Sequence, residues 1–438
     1  MKTSNKALFC LLVGGAGYFY SCTKGNSSAS TPPPAPAPVI NSVSPDSGQL
    51  GTTVTISGSG FSANATDNVV KFNDSNAVVS SATATQLTVK VPVSAGTGPV
   101  SVTVGGKTAT GPVFNYTYIV TVSTVAGTTN GQVDGDTATA QFNALEGGIC
   151  VDSRGNLYVT EFDFSRIRKI TATGVVSTLD GSKPGFADGN PAVAEFSGPL
   201  GICVDSQGNL YVADFGNNRI RKITPTGMVN TLTGSSQGFA DGSTATALFY
   251  GPAGICVDGQ GNLYVADEYN HKIRKITTAG MVSTVAGSTQ GFADGSATTA
   301  QFNEPSGICV DGQGNLYVAD TYNHRIRKIT PAGMVSTLAG SSFGFADGNG
   351  TAARFNLPVG ICVDSQGNLY IADSFNNRIR KITPSGIVST LAGSNPGFAD
   401  GNPATAQFNW PAGICIDSQG GLYITDYLNY KVRKIGIQ

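Results

Sequence analysis

Six cysteines stand at a fixed spacing of 53 residues: Cys150, Cys203, Cys256, Cys309, Cys362 and Cys415. Each lies in a Gly-Ile-Cys-(Val/Ile)-Asp segment, followed by runs such as NLYVAD (Asn209 to Asp214), NNRIRKIT (Asn217 to Thr224) and GMVNTLTG (Gly227 to Gly234). A repeat of this length is one supersecondary unit, which buries its faces only by stacking on its neighbours. Each unit holds four short apolar runs separated by turn residues such as Asp205-Ser206-Gln207-Gly208, the pattern of four antiparallel strands. Four-stranded repeats that stack in a circle make propeller blades. The sixth unit stops after its third strand, Lys431 to Gln438, and an orphan fourth strand, Val122 to Gly127, precedes the first unit. Pairing these two ends closes a ring and removes an exposed edge, so the spacing predicts a six-bladed propeller over 119–438.

Within the repeats, Asn270-His271-Lys272-Ile273 and Asn323-His324-Arg325-Ile326 resemble the Asn-His-Leu tract of the NHL-repeat family. The 53-residue unit exceeds that family's usual blade of about 40 residues. The excess lies between fourth and first strands, in Gly-Phe-Ala-Asp-Gly connections such as Gly238 to Phe249. Upstream, residues 38–118 read as short Val- and Thr-rich strands bounded by Gly, Pro, Asn or Asp, a sandwich signature. Ile40-Asn41-Ser42-Val43-Ser44-Pro45, Val54-Thr55-Ile56-Ser57-Gly58-Ser59-Gly60-Phe61 and Phe114-Asn115-Tyr116 resemble the IPT/TIG family of immunoglobulin-like domains. That resemblance implies a spacer or protein-contact module. The expected fold class is therefore all-β: an immunoglobulin-like β-sandwich followed by the propeller.

The N-terminus reads as an export signal. Lys2 and Lys6 precede an apolar stretch from Ala7 to Tyr20, shorter than the roughly 20 residues of a membrane span. Cys22 follows it, ahead of a Pro/Ser-rich linker over 23–37. Residues 1–22 thus resemble a bacterial lipoprotein signal, which implies lipidation at Cys22 and a membrane-anchored protein, periplasmic or on the cell surface. A plain secretory signal and a secreted protein are the alternative.

Charge narrows the function classes. The chain carries 27 Lys and Arg against 28 Asp and Glu, a net charge of −1. The basic run at Arg219, Arg221 and Lys222 recurs in every unit, and so do acids at Asp205, Asp214 and Asp241 (Glu161 replacing Asp214's counterpart in the first). Matched charges at repeated positions describe a blade template, with Asp214 and Arg219 expected to pair locally, and leave no basic face for nucleic acid. Equivalent positions on neighbouring blades should hold the six thiols too far apart for disulfides, as buried, free side chains. His271 and His324 fill a hairpin slot that Asn218 and Asn377 fill elsewhere, which favours a turn-stabilising role, and two His cannot complete a zinc site. The Asp-Ser-Gln-Gly segments read as Asp-capped turns rather than calcium loops. No cofactor and no metal are expected.

Divergence between units marks where specialisation can lie. The loops joining strands two to three and four to one should share a face. The former carry Tyr269, Tyr322, Phe375 and Tyr427, and the position five before each Cys holds Glu304, Leu357 and Trp410 in the last three units. An aromatic, nearly uncharged rim suits recognition of a protein or glycan by stacking and apolar contact, unless the rings pack beneath the long loops. The sequence points to a non-catalytic, exported, lipid-anchored binding protein with a protein or glycan partner. The alternative is a lactonase-like hydrolase or amidating-lyase-like enzyme with a metal in the central channel, against which the sameness of the inner strands counts.

Overall fold

The computed structural model describes residues 36–437 apart from Val93, Ser94, Tyr118, Ala144 and Ser182. Cys22, the signal segment 1–22 and most of the 23–37 linker lie outside the described residues. The chain divides into two compact units that part between Asn115 and Tyr116.

In the first unit, alternation of apolar and polar residues folds two antiparallel sheets face to face. One runs Val39–Ser44, Thr53–Ser59, Gln86–Lys90, Val79–Ala82; the other runs Ser47–Gly48, Lys107–Tyr116, Gly98–Val104, Asn68–Phe72, Ser75–Ala77. Every second residue of the central strands points inward: Val54, Ile56, Leu87, Val89, Val100 and Val102 are fully buried. Phe72 and Phe114 meet edge to face across this core, 4.9 Å between centroids.

The second unit is a six-bladed propeller. Blades 1 to 5 begin with inner strands Ile149–Val151, Pro199–Val204, Pro252–Val257, Pro305–Val310 and Pro358–Val363, and each continues through three more antiparallel strands. Blade 6 comprises Pro411–Ile416, Leu422–Asp426, Lys431–Ile437 and, as its outer strand, Val120–Ala126. That closing strand pairs Val122 with Ile435 and Thr124 with Arg433, so the ring is shut by the orphan strand expected from the sequence. Blade 1 meets blade 6 through Thr425 Oγ1, which donates to Gly147 O at 3.2 Å.

Apolar cores lie at the blade junctions. Cys203, Ala213 and Ile220 of blade 2 pack on Phe249, Ile255, Leu263 and Val265 of blade 3, and the same set recurs around the ring. The repeated Gly before Ile-Cys lets inner strands approach: a Cβ at Gly307 would run into Val359 O, and one at Gly254 into Ser306 O.

The extra residues of the 53-residue unit become a strap along the outer edge of the blade that follows. Gly242–Ser243 pairs with Val282 and Met281 of blade 3, and Gly348–Asn349 pairs with Val388 and Ile387 of blade 5. Single bridges Gly135 to Val176, Gly189 to Val229, Gly295 to Val335 and Gly401 to Val122 repeat the arrangement on the other blades. The strap covers unpaired edge groups that would otherwise template association. Its Gly takes φ of 147° at Gly242, open to glycine and strained for other residues.

The local pairing of Asp214 with Arg219 is not what forms. Asp214 Oδ2 accepts instead from Arg221 Nη1 at 2.7 Å, both side chains fully buried, while Arg221 Nη2 donates to Asp188 of the strap at 2.6 Å. Arg219 and Arg221 share one face of their strand, so both can reach Asp214. Arg221 lies over Phe186 and Phe196, 5.0 Å from each centroid, where a desolvated guanidinium requires carboxylates. Arg219 sits nearer solvent, donates to Asn217 O at 3.0 Å and stacks 3.9 Å over Phe186. The same acid–Arg–acid bridge ties strap to blade at Arg168, Arg274, Arg327, Arg380 and Arg433.

Candidate functional site

The loop face is built on a short turn between second and third strands. In blades 2 to 6 this is a 3-10 turn, for example Glu268–Asn270, ending on a residue in the left-handed region: Asn218, His271, His324, Asn377 and Tyr430, with φ from 52° to 56°. Four of these side chains cap the following blade. Asn218 Oδ1 accepts from Gly251 N at 2.9 Å and Asn377 Oδ1 from Trp410 N at 3.0 Å. His271 Nδ1 accepts from Glu304 N and His324 Nδ1 from Leu357 N, each at 3.2 Å. Burial, then the adjacent Lys272 or Arg325, lowers both imidazoles below their ordinary range, in keeping with a neutral acceptor. The histidines therefore hold rim residues in place.

The rim position itself is left-handed in blades 2 to 6. Gly198 and Gly251 occupy it in blades 2 and 3, whereas Glu304, Leu357 and Trp410 adopt φ of 48°, 49° and 56°. A bulky residue there costs roughly 1–2 kcal/mol relative to its ordinary backbone conformation. In blade 1 the counterpart, Leu145, is fully buried instead.

The aromatic rings do not lie beneath the loops. Tyr322 is 53% exposed, Phe375 42%, Tyr269 39% and Trp410 37%; Glu304, Leu357 and Tyr427 are half-buried. Two tracts form. Phe162, Phe215, Tyr269 and Tyr250 run across blades 1 to 3 with successive centroids 6.1, 5.4 and 4.9 Å apart. Phe375 stacks on Trp410 at 4.5 Å, and Trp410 meets Tyr427 at 6.2 Å, across blades 5 and 6. Sequence reasoning missed Tyr250 and Phe343, which precede the rim on the long connections; Phe343 lies 6.1 Å from His324.

It also missed a set of carboxylates. Glu146 stands four residues before Cys150, where every other blade has Pro, and comparing that column across repeats would have found it. Glu268 opens the blade 3 turn where blades 4 and 5 place Thr321 and Ser374, whose hydroxyls donate to Pro358 O and Pro411 O. Burial, then the carboxylates of Glu304 and Glu146, push Glu268 up to about 8. Burial and then Asp163 raise Glu146 as well. Among the described residues no group of three or more His, Cys, Asp or Glu side chains is placed to hold a metal ion. The six repeat cysteines are free, and burial pushes the Cys203 thiol well above its ordinary range, with Cys256 and Asp205 adding to the effect. Asp205 Oδ1 accepts from Gln207 N and Asn209 N at 2.9 and 2.8 Å, closing a capped turn.

Family models now match both units: the IPT/TIG domain over residues 38–118, and the NHL repeat over 196–223, 249–276, 302–329, 355–382 and 408–435. The chain is an IPT/TIG domain followed by an NHL-repeat propeller. The NHL matches fall on blades 2 to 6. Among curated relatives, protein suppressor of quenching 1 from Arabidopsis thaliana is 30% identical over 60% of this chain and 27% of its own length. NHL repeat-containing protein 2 from Bos taurus is 29% identical over 67% of this chain and 46% of its own. The chain thus spans less than half the length of these relatives. A solved structure of a Bacteroides thetaiotaomicron protein of unknown function is 25% identical with a TM-score of 0.67, covering 93% of this chain and 99% of that one. Another from the same organism, described as an auxiliary nutrient binding protein, is 20% identical with a TM-score of 0.58, covering 92% and 99%.

Proposed function

We propose that this NHL propeller is the ligand-binding part of a non-catalytic, exported protein anchored through Cys22, with the loop face as its binding surface. The observation that carries the reading is the rim: Glu304, Leu357 and Trp410 keep large side chains in a backbone conformation that blades 2 and 3 give to glycine. Strain of this kind persists where a side chain is needed for something other than stability. Exposed rings of Tyr322, Phe375 and Trp410 offer stacking surfaces for a protein segment or a glycan. The auxiliary nutrient binding protein of the same fold is in keeping with a binding role.

Trp410 is the chain's single tryptophan, so its fluorescence reports directly on the rim. Candidate partners found by glycan array and by pull-down with envelope proteins should shift that signal. Trp410→Ala and Tyr322→Ala should weaken every interaction detected; unchanged binding in both variants overturns the reading. For the anchor, Cys22→Ser should move the protein from the membrane fraction to the soluble one.

A further inference from the structure

Among the described residues no ring contact joins the two aromatic tracts. Glu268 opens the blade 3 turn and Glu304 N–H donates to His271 at the end of that same turn, while Glu146 and Asp163 belong to blade 1. The carboxylates act on one another across the mouth, for Glu268 feels both Glu304 and Glu146, and Glu146 feels Asp163.

Four basic residues of this face, on blades 3 to 6, are engaged elsewhere. Lys272 donates to Ser288 O and lies over Phe239, and Lys431 donates to Thr128 O and lies over Phe398. Arg325 and Arg378 donate to Asn323 O and Asn376 O, each at 2.6 Å, and stack on Phe292 and Phe345. In a mouth of crowded carboxylates flanked by ring faces on both sides, Glu268 keeps its proton near neutral pH, and a positive charge brought beside it would let it ionise. Ring faces favour that charge as well, through their quadrupoles. A neutral sugar would stack on the rings and leave the carboxylates crowding one another.

We propose that the loop face docks an extended segment of a partner protein in which lysine or arginine is flanked by apolar residues. The proposal rests on the binding role above and names its ligand class. Cationic side chains meet Glu268, Glu304 and Glu146, and the flanking apolar residues lie on Phe375 and Trp410 at one side and on Tyr269 and Tyr250 at the other. The acids supply register and association rate, and the rings supply contact area.

Trp410 fluorescence of the full chain tests this with a peptide of alternating lysine and phenylalanine, the same peptide with acetylated lysines, and maltohexaose. The lysine peptide should give a saturable change, with affinity falling roughly tenfold on acetylation, and by a similar factor in the double variant Glu146→Gln, Glu268→Gln. Affinity should also fall with added salt. Unchanged thermal unfolding of the double variant confirms that it folds. Equal binding of the acetylated peptide, or full affinity in the double variant, overturns the proposal. A signal from maltohexaose alone keeps the rim as a binding face and refutes its cationic partner. No signal from any of the three ligands, with Trp410→Ala and Tyr322→Ala neutral toward pulled-down partners, removes both readings.

Discussion

Blades 1 and 4 fold on the same plan, yet they treat three template positions in opposite ways. The acid ending the second strand is Glu161 in one and Asp320 in the other; the fourth strand holds Asp180 against Ala339; the residue four before the Cys is Glu146 against Pro305. Asp320 Oδ2 accepts from Arg327 at 2.5 Å and from Asn323 at 2.9 Å, whereas Glu161 reaches Arg168 at 3.1 Å and has Phe164 where the Asn would stand. The inner strand shrinks from Pro305–Val310 to Ile149–Val151. Departures from the template gather in the blade that follows the ring's closure, and they bring buried or crowded charge with them.

The largest expected effect lies in the inner strands. Gly307→Ala should cost more than about 3 kcal/mol in urea unfolding, because its Cβ meets the Val359 backbone carbonyl. Gly148→Ala, whose nearest neighbour is Ile202 N at 3.0 Å, should cost less. Equal losses would erase the difference between the two inner strands.

Next come the buried bridges. Asp320→Asn should cost about 3–5 kcal/mol by leaving Arg327 short of a carboxylate in a dry site. Glu161→Gln should cost less, since the bond it weakens is already longer. Urea midpoints of the two variants decide the order.

Asp180 gives a gain. It is 1% exposed, neither carboxylate oxygen has a hydrogen-bond partner, and burial, opposed by Arg221, raises it to about 7. The folded state therefore holds a proton that the unfolded chain releases near its ordinary 3.8, so this stability is present below pH 4 and is lost as pH rises through 7. Asp180→Ala, the residue of most other blades, should stabilise the protein by about 4 kcal/mol at pH 8 and by little at pH 4. A gain of the same size at both pH values would show that the charge is not its source.

The smallest effect is at the rim. Trp410→Gly should raise stability by about 1 kcal/mol through relief of the left-handed strain, while abolishing ligand binding. A loss of stability instead would mean that packing of Trp410 on Phe375 outweighs the strain.

The blade count and the closing strand were legible because the Cys spacing and the hydrophobic alternation both repeat. The Arg219 and Arg221 assignment was not, since alternation places both on one face, and only the strap's carboxylate and the Phe rings choose between them. Tyr322 and Trp410 could be read as exposed candidates from their position on loops. Glu146 and Glu268 escaped because each departs from the template in a single blade, at positions that carry no charge in the corresponding repeats 4 and 5.

Closure has a consequence for synthesis. Val120–Ala126 is made before any blade, and its hydrogen-bonding partner, Lys431–Ile437, is made after all the others. Lys431 Nζ reaches Thr128 O, 303 positions upstream. A growing chain therefore carries a Val- and Thr-rich strand with a bare edge while all the intervening blades are made, and the circle locks only once Lys431–Ile437 has left the ribosome. A stop codon placed shortly before Lys431 would leave a row of five finished blades with an open end at each side, a species suited to joining with its own kind.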